Sequence, residues 1–287
     1  MNKNNILINL KNLPLASINS DEVNLAKDLV ENKCKDENLF VCEGLWAIDK
    51  LIEKKIEVIL FVFNQNVLEN ADFPQEDLNK IANMAKYAQK SVLVSEKACK
   101  KISDRDGYDE FFIIARAKKI TLADLEKQFK NNNNCLGIIM DGLEQPGNIG
   151  AILRTCDAAG ADFAISVNRR AKINNSRIVR ASFGSSFMIP VLEEKMEDVV
   201  AFLEKNNFKV VLTDLQAKKS FKEADYSGKV VIVAGNEHTG ITPSWRKVKN
   251  AESVIIPMLG SVESLNVGFA TTLVAYEAGL KKFGNKK

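Results

Sequence analysis

The sequence predicts an α/β protein, with a mostly parallel sheet in its C-terminal half and a smaller α/β domain before it. Three observations carry this reading. The strand-length runs of the second half are apolar throughout, as in sheets covered on both faces. Helical patterns lie between those runs, the alternation expected of βαβ units. A tract of four asparagines at 131–134 then separates two halves that each alternate on their own.

In the first half, Ser20 is placed to cap a helix running to about Asn32. Asp21 and Glu22 in its first turn complement the helix dipole, and Val23, Ala26, Leu29 and Val30 share one face. LFVCEG (39–44) reads as a short buried strand, and the helix after it turns Leu45, Ile48, Leu51 and Ile52 inward. EVILFVFN (57–64) is a second strand. A helix near 76–89, a strand SVLVS (91–95), a short helix and a strand FFIIARA (111–117) complete this half. The stretch 120–134 reads as a connecting helix that runs into the asparagine tract, whose residues favour turns. The predicted organisation is therefore a domain at 1–119, a linker at 120–134 and a second domain at 135–287. Strands of the second domain are expected at 136–140, 163–167, 208–214, 229–235 and 253–258. Helices are expected from about Ile149, near 196–205 and from about Leu265.

Composition narrows the function. A chain of 287 residues can bury roughly three quarters of its unfolded surface, so it needs no disulfide or metal staple. Its 46% hydrophobic and 27% charged residues are those of a globular protein. No apolar run approaches the ~20 residues that span a bilayer, and the N-terminal stretch lacks the apolar core of a signal peptide. A soluble cytoplasmic protein is expected. The net charge of +3 does not by itself announce a nucleic-acid binder. Five widely spaced cysteines without a Cys-x-x-Cys pair argue for reduced thiols rather than a disulfide framework or zinc ribbon. With His238 as the single histidine, every two-histidine zinc motif is excluded, and no metal is expected.

Three glycine-bearing loops fall at the C-terminal ends of predicted strands, where open α/β sheets bind ligands. In DGLEQPGNIGAILRT (141–155), Pro146 and Gly147 make a turn, Asn148 is positioned to cap the next helix, and Arg154 lies early on it. In AGNEHTGITPSW (234–245), Gly235 and Gly240 bracket a polar tip whose one carboxylate is Glu237. In 255–280, a turn at Gly260 and Ser261 precedes Ser264, Leu265 and Asn266, with Ser264 the expected cap of a long apolar helix. Neither a P-loop nor a GxGxxG pattern is present. A basic stretch, NRRAKINNSRIVR (168–180), gathers Arg169, Arg170, Lys172, Arg177 and Arg180 as candidate phosphate contacts.

In this order the three loops resemble the SpoU/TrmH family of RNA ribose 2′-O-methyltransferases, within the SPOUT superfamily. NIGAILRT looks like the family's first motif, GNEHTGIT its second and IPMLGSVESLNV its third, while RIVRASFGSSFMIPV resembles the segment that follows the first. The first half is similar, more weakly, to the ribosomal-protein-like RNA-recognition domain of rRNA-modifying members, through FVCEGLWAIDKLIEKK, EVILFVFN and SDRDGYDEFFIIARA. Two positions depart from the pattern: Gly268 stands where members usually have Ser, and His238 where many have Gly.

The resemblance implies a SPOUT-like C-terminal trefoil knot, an exception to the rule against threaded chains. It implies S-adenosylmethionine (AdoMet) as methyl donor, held at Gly235, Ile256 and Leu265. It further implies a homodimer formed through the catalytic half. Arg154 would be the essential catalytic residue, with Asn148, Glu237, Ser264 and Asn266 orienting it and the nucleotide. A guanidinium almost never deprotonates, so Arg154 is expected to orient the ribose hydroxyl or stabilise developing alkoxide charge rather than act as a base. Ribosomal RNA is the expected substrate. The alternatives are a tRNA ribose methyltransferase and a catalytically silent RNA- or ribosome-binding protein of the same fold.

Overall fold

The computed structural model describes residues 3–104 and 107–284, so Arg105 and Asp106 of the SDRDGYDE segment lie outside the described residues. The chain forms two compact units. One contains Met1–Lys118 and Asn174–Gly184, the other Lys119–Ile173 and Ser185–Lys287.

The first unit opens with α1 (Lys3–Lys11) and α2 (Asp21–Val30), the latter capped by the Ser20 hydroxyl, which accepts from the Val23 amide. It continues through β1 (Leu39–Glu43), α3 (Ala47–Glu53), β2 (Glu57–Asn64), α4 (Gln75–Tyr87), β3 (Lys90–Val94), α5 (Glu96–Ile102) and β4 (Phe111–Arg116). The sheet order is β1-β4-β2-β3. β4 runs antiparallel to both neighbours, pairing Leu39 with Arg116 on one side and Phe63 with Phe111 on the other. β2 and β3 are parallel, with Leu60 opposite Lys90. One core layer packs Val23, Ala26, Leu29 and Val30 of α2 and Ala98, Cys99 and Ile102 of α5 on the sheet residues Val41, Val62, Val92 and Phe112. The face read from helical spacing in α2 is the face that is buried.

In the second unit, α6 (Leu122–Phe129) precedes β5 (Cys135–Asp141), α7 (Pro146–Ala158) and β6 (Phe163–Val167). The chain then enters the first unit to form α8 (Ser176–Ala181). It returns for α9 (Ser185–Met188), β7 (Val191–Glu193), α10 (Met196–Lys205), β8 (Lys209–Thr213), β9 (Lys229–Ala234), β10 (Ala251–Val254) and α11 (Val267–Phe283). The six-stranded sheet has the order β10-β8-β9-β5-β6-β7, and every pairing in it is parallel. On one face Phe163 packs with Phe129, Phe202 and Phe208, and its ring fills the space that a side chain at Gly137 would need. The opposite face is covered by α7 and α11. Both faces are therefore dry, as the uniformly apolar strands require.

Three expectations are corrected. The stretch 120–134 is not a linker: the Thr121 capping box starts α6, whose Leu125 and Phe129 are buried in the core of the second unit. The continuous domain 135–287 is interrupted, because residues 174–184 pack in the first unit. There Ser176 Oγ donates to the Val30 carbonyl at 2.8 Å, Asn174 donates to the Leu39 carbonyl at 2.9 Å, and Ile178 and Val179 are buried. The last strand ends at Val254 rather than 258, with Ile255 making only an isolated bridge to Ser220.

Candidate active site

The polar loops of the second unit leave the carboxyl ends of β5, β6, β9 and β10. α7 begins at Pro146, pre-set for a first helical position, with Gln145 as N-cap. Asn148 is therefore not the cap but a residue of the first turn, and its buried side chain is available for other partners. Its Nδ2 donates to Glu237 Oε1 at 2.8 Å, and its Oδ1 accepts from Asn266 Nδ2 at 3.0 Å. The direction is determined chemically: a carboxylate only accepts, so Asn148 presents its amide nitrogen to Glu237 and its oxygen to Asn266. Asn266 uses its own oxygen to accept from the Gly268 amide at 2.9 Å, and it, not Ser264, is the cap of α11. One hydrogen-bond chain thus ties together all three loops singled out in the sequence.

Glu237 does more than receive Asn148. Its two oxygens accept from the amides of Glu144 at 3.2 Å and Gln145 at 3.3 Å, placing a carboxylate at the positive end of α7. Partial burial pulls its carboxyl upward. The hydrogen bonds from Asn148 and from the backbone amides outweigh that and hold it below the ordinary carboxylate value. Glu237 therefore clamps the first loop to the second.

Gly235 has a structural reason that its sequence context did not reveal. A Cβ there would lie 2.4 Å from the Gly240 carbonyl carbon and the Ile241 nitrogen, so the close approach it permits is to its own loop. Asn236 then closes that loop, its oxygen accepting from the amides of His238 and Thr239 and its nitrogen donating to the Gly142 carbonyl. Asp141, buried at the end of β5, was missed by the sequence reading. It accepts from the Thr242 amide at 2.7 Å, from the Thr242 hydroxyl and from Asn168, pinning three loops at their roots. The signal was an acid ending an apolar strand, but no sequence spacing names its partners.

Arg154 is exposed on α7, nearly two turns beyond Asn148. Ile256 is half-buried and Leu265 exposed, and between them Leu259 and Val262 present an apolar loop surface to solvent. Apolar side chains and loop backbone of this kind suit an adenosine-bearing ligand better than a bare ion. No group of three or more metal-ligating side chains occurs among the described residues. The buried cysteines are not nucleophile candidates: burial, for instance, pushes the Cys99 thiol up to about 12. The basic stretch is divided. Arg169 pairs with Glu193 at 2.8 Å. In the first unit, Arg177 pairs with Asp104 at 3.2 Å, and Arg180 with the buried Glu43 at 2.9 Å. Arg170 is exposed, and Lys172 is half-buried.

A doubly covered parallel sheet, with its polar loops gathered beyond the strand ends, defines an α/β ligand-binding domain. The SpoU rRNA Methylase family model matches residues 136–276. A tRNA (guanosine-2′-O)-methyltransferase of Aquifex aeolicus is 31% identical over 173 residues, covering 59% of this chain and 78% of that protein. A 23S rRNA (guanosine-2′-O)-methyltransferase of Bacillus subtilis is 32% identical over 139 residues, covering 48% of this chain but only 56% of the relative. An AdoMet-bound rRNA methyltransferase from Sinorhizobium meliloti shares the fold with a TM-score of 0.79 at 26% identity, over 93% of this chain and 97% of that one. The chain belongs to the SpoU methylase family.

Proposed function

We propose that the protein transfers the methyl group of AdoMet to a ribose 2′-hydroxyl of RNA, and that ribosomal RNA is its substrate. The observation that carries this reading is the chain Asn266–Asn148–Glu237, which locks the three family motifs into one geometry. AdoMet supplies an electrophilic methyl on a sulfonium. Loop backbone around Gly235 and the apolar Ile256 and Leu265 would hold it, within the trefoil knot expected of the family. Arg154 orients the ribose hydroxyl and stabilises charge as its proton leaves. Asn148, Glu237 and Asn266 keep the surrounding loops in register so that they orient Arg154 and the nucleotide, and Ser264 helps to orient the nucleotide. The first unit selects the RNA. In the second unit Arg169, Arg170 and Lys172 contact phosphate, and in the first Arg177 does so, while Arg180 serves first as counter-ion to buried Glu43. The Aquifex relative supports a second reading, with tRNA as the substrate.

The decisive experiment incubates the full chain with methyl-labelled AdoMet and either ribosomal RNA or tRNA, then maps ribose methylation. Label in ribosomal RNA at a 2′-oxygen is the expected result; label in tRNA alone selects the second reading, and none in either removes both.

We also place the protein in the cytoplasm, where such RNA is made and assembled. No described helix is long and apolar enough to cross a membrane. We further propose a homodimer through α11. Phe269, Leu273, Tyr276 and Leu280 recur at helical spacing along it and remain exposed, the outermost 71% exposed. Two-fold pairing of such a stripe is the commonest way to cover it.

A further inference from the structure

We propose that Phe183, Trp46 and Lys50 form a stacking platform in the first unit that takes an unpaired RNA base and its phosphate. This rests on the reading that the chain acts on RNA. Phe183 follows α8 with its backbone at φ 50°, a left-handed conformation that bulky side chains seldom adopt. Phe183 in that conformation is 44% exposed. Trp46 lies against it, ring centroids 4.7 Å apart and planes inclined by 20°. The indole is held in turn, its Nε1 donating to the Glu43 carbonyl at 2.7 Å. The two rings therefore make a fixed stack rather than a pair of mobile surface aromatics.

Lys50, one turn along α3 from Trp46, donates to the Phe183 carbonyl at 2.6 Å. Its ammonium lies 4.4 Å from the Phe183 centroid and 5.6 Å from that of Trp46. Both distances put the cation within cation–π reach of the two rings. Lys54 continues the same helical row and is exposed, whereas Asp49 on the neighbouring face is turned to Lys80 at 3.7 Å. A rigid aromatic face flanked by ammonium groups matches single-stranded nucleic acid, in which each base has a π-face and each phosphate a charge. Paired RNA keeps its base faces stacked within the helix and does not offer them.

The test uses the full chain and a single-stranded oligouridylate carrying one 2-aminopurine, whose fluorescence is quenched on stacking, and the same oligomer annealed to its complement. Quenching and tight binding are expected for the single strand and not for the duplex. Phe183→Ala should weaken single-strand binding by about tenfold to a hundredfold, and Phe183→Tyr should retain it. Phe183→Gly removes the ring while relieving the left-handed backbone, which keeps a folded ring-less variant available; its melting temperature verifies the fold. Wild-type affinity in the Gly and Ala variants, or equal quenching by the duplex, overturns the platform while leaving the methyltransferase reading intact if the wild-type chain methylates RNA. A wild-type chain that neither binds the oligomer nor methylates any RNA overturns both.

Discussion

Asn148 shows how far single residues could be read from sequence. Its loop, the carboxylate of Glu237 and the amide of Asn266 were each visible as polar residues after an apolar strand. Their connection was not, since 118 positions separate Asn148 from Asn266 and only folding brings them to 3.0 Å. Gly235 was legible as a special position, but the backbone it accommodates proved to be its own loop. Two predictions belong at this scale. Arg154→Ala should lower the single-turnover methyl-transfer rate by about 10²–10³ while leaving AdoMet affinity intact, the loss expected on removing one preorganised donor. Arg154→Lys should do little better, because an ammonium lacks the planar fork; a loss below about threefold would show Arg154 to be a surface residue with no part in the chemistry. For Glu237 the folded pKa is depressed below the ordinary 4.5, so its stabilising contribution is complete above that value and disappears as pH falls through the folded one. Melting temperatures of wild type and Glu237→Gln should thus differ most near neutral pH and converge in acid.

At the level of elements, the long buried strands were legible because apolar runs of that length have few other uses in a chain with helices between them. The three-residue β7 was too short to show any pattern. α11 starts two residues later than expected because Asn266 competes successfully for the cap. α6 was legible as a helix, but the asparagines after it made it read as a linker, although Leu125 and Phe129 stand at the i, i+4 spacing of a buried helical face. The elements also set which glycines tolerate change. Gly235→Ala should cost about 1–3 kcal/mol, since its Cβ would overlap backbone that has nowhere to move. Gly147→Ala, in the first turn of α7 with nothing within 4 Å of the added carbon, should be neutral or stabilising by up to about 1 kcal/mol. Thermal unfolding of the two variants side by side tests the contrast.

On the scale of the whole molecule, the fold class and the two-unit organisation were legible from alternation, but the excursion of 174–184 was not. Its packing rests on partners such as Val30 and Leu39, more than a hundred residues away. A truncation beginning at Cys135 should therefore fail to give a soluble, cooperatively melting protein, because it removes Leu125 and Phe129 from one core and leaves Ile178 and Val179 without another. Restoring α6 by beginning at Lys119 should recover part of the lost stability, as read by circular dichroism during heating. Light scattering of the intact chain should return about twice the 31.9 kDa chain mass, and Phe269→Glu should shift it toward one chain. The excursion also bears on synthesis. A chain emerging N-terminus first usually completes its leading domain before the next begins. Here the first unit must wait for Gly184, by which time β5, α7 and β6 of the second have already left the ribosome. The two units are thus obliged to mature on overlapping schedules, and a stall between residues 118 and 174 would strand a nascent first unit without its closing segment.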